Sequence, residues 1–450
     1  MPLVLTAAAI AVLLLLIMKF KVHVFIALAV VSFLLALALG MPLPDIVGAV
    51  EDGLGDTLAS TGLIFGFGAI LGKLLADAGG AQRISTSLVD RFGQRWVQWA
   101  VVVASLILGV ALFFEVGIVL LVPIVYQMSK QAQVNFLYLG LPMAAGLSVM
   151  HGFLPPHPGP TVIAEQYGAN VGMVLVYGLV IALPTAVIAG PLFTYYARKY
   201  VPSAFTKTEV GTLAKLGEGQ QFDIKDTPGF ASSALTALFP VLLMFASSIV
   251  ALLQDGLGLP ENTFFQAVEV IGEPTTVMVL SVLVAIYTMG IARRIPMTRV
   301  MQSAETSVKA VGMLLLVLGV SGSLKQVLID GGVGDYVATL FENSSISPLV
   351  LAWLIAALLR LAQGSATVAA LTTAGLVIPL IEGSDANLAL VTLATGAGSI
   401  IASHVNDTGF WIVRESFGLT VKETLATWTV LETIISVCGF GFVLLLSLAV

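Results

Sequence analysis

The segment Met150-His151-Gly152-Phe153-Leu154-Pro155-Pro156-His157-Pro158-Gly159-Pro160 sets two imidazoles among four prolines and two glycines. Prolines remove amide donors and clash with the preceding turn, so a continuous helix cannot run through it. A second segment, Ser403-His404-Val405-Asn406-Asp407-Thr408-Gly409-Phe410-Trp411, offers an imidazole, an amide and a carboxylate. Backbone that leaves helical geometry frees N–H and C=O groups, which can hold an anion and a coupling ion. The alternative at each place is a kink held by packing. Imidazole is suited to proton exchange near neutral pH, so His151, His157 and His404 are candidates for that work or for structural hydrogen bonds. His151 and His157 lie six residues apart across the proline-rich break and show no HExxH pattern, so neither a metal nor another cofactor is expected.

Other polar groups stand in apolar surroundings. Glu115 follows Phe113-Phe114 and precedes Val116-Gly117. A carboxyl there can carry a proton, or it can partner a buried cation such as Arg360. Arg360 lies in Leu359-Arg360-Leu361-Ala362-Gln363-Gly364-Ser365-Ala366-Thr367. Its permanent charge suits a carboxylate ligand, with an internal ion pair as the other reading. Gly364 permits close backbone approach, and Ser365 and Thr367 can recognise hydroxyls. Asn406 and Asp407 suit sugar hydroxyls, ion coupling or helix capping. Ser148, within Gly146-Leu-Ser-Val-Met-His151, joins the candidate ligand contacts.

The elements that must position these groups are membrane helices. Of 450 residues, 58% are apolar and 10% charged, with a mean hydropathy of +1.01. A soluble domain carries about 25% charged residues. The composition excludes an ordinary cytosolic enzyme, a nucleic-acid binder and a disordered chain. The single cysteine, Cys438, excludes an internal disulfide framework. The apolar run 2–18 has its basic residues, Lys19 and Lys21, after it rather than before it, which reads as a retained first helix and not a cleaved signal.

Charge in the connections sets topology, because cytoplasmic loops collect Lys and Arg. Connections at 19–21, 79–96, 129–136, 197–230, 292–309 and 413–423 hold 17 of the 20 basic residues. Those at 41–58, 164–171, 253–274, 329–346 and 382–386 are acidic and hold none. Lys73, Lys325 and Arg360 remain, inside apolar segments. Lys73 and Lys325 sit near helix ends, where their stems would carry the charge to the interface. Alternation requires that 97–128 enter and leave on the cytoplasmic side and that 347–381 do so from outside. Each therefore reads as a re-entrant hairpin. About ten crossings, two hairpins and two broken helices (about 137–163 and 387–412) result. Both termini are expected outside.

The halves repeat weakly. Lys73-Leu-Leu-Ala-Asp-Ala-Gly79-Gly80 matches Lys325-Gln-Val-Leu-Ile-Asp-Gly331-Gly332, 252 residues on. Gly146-Leu-Ser-Val-Met-His151 loosely matches Gly398-Ser-Ile-Ile-Ala-Ser-His404. Corresponding connections carry opposite charge, which two copies inserted upside down would produce. The sequence thus predicts an all-α polytopic transporter: a first inverted repeat over 1–200, a cytoplasmic linker over 201–228 and a second repeat over 229–450.

From end to end the chain resembles the gluconate permease family of sugar-acid:proton symporters. The likeness rests on Gly66-Phe-Gly-Ala69 with Gly79-Gly-Ala-Gln-Arg-Ile84, on Phe114-Glu-Val-Gly117, on His151 to Pro160, on Gly364-Ser-Ala-Thr-Val-Ala369 and on Ser403 to Trp411. The resemblance implies proton-driven uptake of gluconate or a related aldonate across a bacterial inner membrane, in which the charge-derived outside of both termini is the periplasm. Kinship with the wider ion-transporter superfamily further implies paired hairpins, elevator-like motion and often a homodimer.

The expected partners are a sugar-acid anion, protons and membrane lipid, without nucleic acid, and the chain is not expected to be an enzyme. The expected substrate contacts are Ser148, His151, His157, Arg360, Gly364, Ser365, Thr367, His404, Asn406 and Asp407. Glu115, His151 and Asp407 are the candidates for proton coupling. The same fold carrying D-serine or a short hydroxy acid, or coupled to sodium, is the alternative.

Overall fold

A computed structural model describes residues 2–109, 114–155, 157–207, 210–216, 222–257, 259–260, 262–333, 336, 346–381 and 386–450. Glu261, Asp335, Glu342, Glu382 and Asp385, which mark expected acidic connections, lie outside the described residues. So do Phe113, Pro156 and positions 217–221 of the linker.

Among the described residues every regular element is helical. The first half runs α1 (Pro2–Leu14), α2 (Val24–Leu39), α3 (Leu43–Asp77), α4 (Gly80–Gly109), α5 (Phe114–Gln131), α6 (Phe136–Phe153), α7 (Pro158–Tyr167) and α8 (Val171–Tyr200). Short helices α9 (Pro202–Phe205) and α10 (Thr212–Leu216) lie in the linker. The second half runs α11 (Phe230–Leu257), α12 (Thr263–Gly272), α13 (Pro274–Arg293), α14 (Met297–Asp330), α15 (Pro348–Gln363), α16 (Ala366–Ile381), α17 (Leu388–Ile400), α18 (Thr408–Phe417) and α19 (Val421–Leu446).

Among the described residues seven helices are long and apolar enough to span a bilayer. They include α3, α6, α8, α13, α14 and α19, with Phe230–Ser247 of α11. The ten expected crossings exceed that number by three because α1, α2 and α17 are each shorter than a span; α2, at 16 residues, rises only about 24 Å, short of a hydrocarbon core of about 30 Å. Large apolar side chains stay exposed along α2 (Phe33, Leu34, Leu37) and α8 (Val176, Val180, Leu183), as lipid-facing surfaces require. This is a multi-pass membrane protein.

Local sequence explains the helix ends. Asn135 and Asn387 each accept a bond from the backbone N–H two residues ahead, Leu137 at 2.9 Å and Ala389 at 3.1 Å. They thereby cap α6 and α17. Helix α6 stops at Phe153, where the proline run begins, and α7 restarts at Pro158, a position where a missing N–H costs nothing. Helix α17 stops at Ile400, and Asp407 caps the restart at α18. Helix α4 bends at Gly93, whose φ of +69° suits glycine.

Helices α3 and α14 form the central pair and run antiparallel. Asp77 meets Ser303 at one end, and Val50 accepts from Ser323 at 2.7 Å near the other. A Cβ on Gly53 would lie 2.6 Å from Gln326, and one on Gly322 would strike Gly53 and Thr57. Small residues bring the two backbones together, the usual solution where no hydrophobic driving force acts between helices.

The halves interleave. Helix α7 packs on α16 and α17, while α18 packs on α5 and α14. Helix α6 crosses α17 where a Cβ on Gly152 would strike Ile400 and one on Gly396 would strike the Gly152 carbonyl. Helix starts also recur at the repeat spacing: α5 at Phe114 and α16 at Ala366, α6 at Phe136 and α17 at Leu388, are each 252 residues apart. Gly146 abuts Ser105 of α4, and Gly398, 252 residues later, abuts Trp353 and Ala356 of α15.

Candidate functional site

A cavity of about 190 Å³ opens where the two helix breaks, the starts of α5 and α16, and α19 converge. A water needs about 10–15 Å³ on that scale, so the space takes a solute of roughly a dozen heavy atoms. Its wall is built from α5 (Phe114, Glu115), α6 (Ser148, His151), the α15–α16 turn (Arg360, Gly364, Ser365, Thr367) and the α18 start (Asp407, Thr408). Thr57 of α3, Lys325 of α14, and Trp428 and Glu432 of α19 complete it.

Arg360 is the anchor. It lies in the last turn of α15 and is 4% exposed. Its guanidinium donates to the Gly364 carbonyl and to Asp407, while its Nε–H is buried without a partner. Asp407 is saturated: Oδ1 accepts from the Gly409 N–H at 3.0 Å, and Oδ2 accepts from Arg360 and the Ser403 hydroxyl. One carboxylate therefore caps α18 and fixes the guanidinium. Gly364 ends α15 with φ +74°, and a Cβ there would drive into the Asn406 backbone. Both facts require glycine, and together they seat the α15–α16 turn on the second helix break.

Aromatic rings form another wall. Phe114 stacks on Trp428 with centroids 5.2 Å apart and planes at 27°. Trp428 lies in a π-helical turn, Leu425–Thr429, and donates its indole N–H to Ser403 at 2.7 Å. Such register shifts gather at functional sites. Glu432 follows one turn later and faces the same space.

Eight of the residues singled out from sequence meet in this cavity: Glu115, Ser148, His151, Arg360, Gly364, Ser365, Thr367 and Asp407. Three do not line it. His157 is 4% exposed and lies behind His151, its ring centroid 5.2 Å from that ring and its Nε2 2.6 Å from the Gly109 carbonyl. His404 faces a separate apolar cavity beside α1, with Nε2 3.1 Å from the Leu361 carbonyl. Asn406 spends its amide N–H groups on the Leu361 and Ala362 carbonyls, at 3.0 and 3.2 Å. These last two tie the helix break to α15.

Sequence reasoning passed over Glu432, Trp428, Thr57 and Thr408. Glu432 carried a usable signal, as the one acid within the apolar run 424–448. Lys325 corrects an expectation: it lines the cavity and is half-buried, because α14 turns that position toward α3 and the helix break. Lys73, its counterpart, pairs with Asp77 at 3.0 Å. Among the described residues no group of His, Cys, Asp and Glu is arranged to hold a metal.

The site can hold an anion. Arg360 and Lys325, the carboxyls of Glu115, Asp407 and Glu432, and several hydroxyls share this lining with the stacked aromatic pair.

Comparison with known proteins agrees with this picture. Residues 1–449 match the model of the GntP family permeases. A gluconate permease of Bacillus licheniformis is 59% identical over 410 residues, 91% of each chain. The gluconate permease of Bacillus subtilis (strain 168) is 58% identical over the same length, again 91% of each. A high-affinity gluconate transporter of Escherichia coli (strain K12) is 44% identical over 414 residues, 91% of each.

Proposed function

The chain belongs to the GntP permease family, and from that premise we propose that it imports gluconate or a closely related sugar acid by proton symport across a bacterial inner membrane. The observation that carries this reading is the cavity itself. Arg360 and Lys325 supply positive charge, and Ser148, Ser365, Thr367 and Thr408 supply hydroxyls to a polyhydroxy carboxylate. The Phe114–Trp428 stack offers an apolar face for the carbon chain.

In this reading Arg360, held by Asp407, receives the carboxylate. Glu115, at the start of α5 in the cavity wall, carries a proton. The two halves form inverted repeats, 1–200 and 229–450, with re-entrant hairpins at about 97–128 and 347–381, broken helices and a cytoplasmic linker. The antiparallel run of α3 and α14 and the recurrence of helix starts at 252 residues support that arrangement. Both termini are periplasmic. Transport proceeds by elevator-like movement of the hairpins and broken helices against the α3–α14 pair, in a protein that pairs as a homodimer.

Purified protein in liposomes tests the reading. Labelled gluconate should enter when the outside is made acidic, and an imposed sodium gradient should have no effect. Stimulation by sodium alone overturns the proton part. In a competition panel, inhibition by D-serine or glycerate but not by gluconate moves the substrate class to a zwitterion or short hydroxy acid.

A further inference from the structure

We propose that Glu432 is a second proton-carrying carboxyl, and that together with Glu115 it makes loading of an anionic substrate conditional on two protons. The inference rests on the transport reading given above.

The charges around the cavity carry it. Lys325 and Arg360 are the cations, and Glu115, Asp407 and Glu432 are the acids. Arg360 is committed to Asp407, and the charge acting on Lys325 is that of Asp56 on α3. Each cation has an acid of its own, and Glu115 and Glu432 are the carboxyls left over. With both ionised, these groups carry two more negative than positive charges, and an entering carboxylate meets repulsion in a low-dielectric space, where charges interact strongly. With both protonated, the charges balance and that repulsion is gone. Each proton comes from the outer solution, sits on a carboxylate oxygen while the site is closed, and leaves to the inner solution after the substrate.

Glu432 is placed for this work. It is 3% exposed, its Oε1 has no hydrogen-bond partner, and its contact in the wall is Ser148 of α6. A buried carboxylate without a cation is costly, whereas the acid form supplies an O–H donor to the cavity. The cation that faces it, Arg360, is already paired with Asp407. Of the helices packed on α19, α17 has no titratable residue, α18 brings Arg414 and Glu415, which pair with each other, and α6 brings Tyr138 and His151. Helix α8 brings Tyr177, with tyrosines, Arg198 and Lys199 exposed at its far end. Of these groups only His151 lines the cavity, while Arg360 and Asp407 face Glu432 from α15 and the start of α18.

The test measures the accumulation ratio of labelled gluconate in liposomes at a pH gradient of one unit, with membrane potential clamped to zero. Two protons per substrate give about 100-fold accumulation and one proton gives about tenfold. The wild type should reach the first value. Glu432→Gln, a permanently neutral analogue, should reach the second while retaining counterflow of gluconate, which needs binding and crossing but no net proton movement. A wild-type ratio of about tenfold overturns the proposal, whatever the variant does. So does an E432Q ratio equal to the wild type's. Wild-type protein without gluconate counterflow overturns the substrate reading itself, and is thereby distinguishable from failure of the two-proton inference.

Discussion

Arg360 and Asp407, 47 residues apart and on different elements, are joined in a buried ion pair that ties the end of α15 to the start of α18. The pair closes the second helix break and sets the guanidinium beside the cavity. Its two members are not exchangeable for neutral groups one at a time.

Removing one partner of a buried pair costs about 3–5 kcal/mol, because the other charge stays buried alone. Asp407→Ala should therefore lower the thermal unfolding midpoint in detergent markedly and abolish uptake. Arg360→Lys keeps the charge but lacks the planar fork that reaches Gly364 and Asp407 together. It should fold, with apparent gluconate affinity at least about tenfold weaker. Unchanged affinity in Arg360→Ala would remove Arg360 from the substrate contacts.

Gly364→Ala meets two obstacles, a left-handed backbone and the Asn406 backbone where the methyl would go. The first alone costs about 1–2 kcal/mol. Gly375→Ala, in the following helix, has open space at its Cβ and is the matched control. Uptake should collapse in the first variant and persist in the second.

Trp428→Phe keeps a ring against Phe114 and loses only the bond to Ser403. Stacked pairs are worth about 0.5–1.5 kcal/mol beyond burial, so this variant should retain transport with an affinity loss below about tenfold. Trp428→Ala, which empties the wall, should lose far more. Concentration dependence of uptake separates the two.

Glu115→Gln should still exchange labelled for unlabelled gluconate, but its accumulation at one pH unit should fall from about 100-fold to about tenfold. Normal accumulation in that variant would exclude Glu115 as a carrier.

Topology can be read with single cysteines in a Cys438→Ala background. A cysteine at position 52 should react with an impermeant maleimide added outside intact cells, and one at position 309 only after the membrane is opened. The reverse pattern would turn the charge-derived orientation over.

Much of the frame was legible because its signals are local. Single prolines such as Pro123, Pro142 and Pro240 sit inside helices, but a run of them blocks helix, so the gap between Phe153 and Pro158 could be read directly. The clustering of Arg360, Gly364 and Ser365 was visible from spacing. What periodicity could not give was direction around a helix that is apolar on all sides. Glu432, one acid in an apolar run, was passed over, and its facing follows the π-helical turn at Leu425–Thr429. His404 looked equivalent to His151, but the turn through Ala402, at φ +46°, points it to Leu361 and away from the cavity. Lys325 and Lys73 occupy matching sequence positions and differ because only one has an aspartate four residues on: Lys73 has Asp77, whereas Lys325 has Ile329.

The exchange of α7 and α18 between the halves bears on how the chain matures. When α7 leaves the ribosome, the helices it rests on, α16 and α17, are some 200 residues from being made. The proline-rich backbone before it must meanwhile find hydrogen-bond partners other than its native neighbours, since bare amides are not tolerated in lipid. The first half is therefore a waiting intermediate. Synthesised alone, it should be degraded, and co-expression of the second half as a separate polypeptide should rescue it.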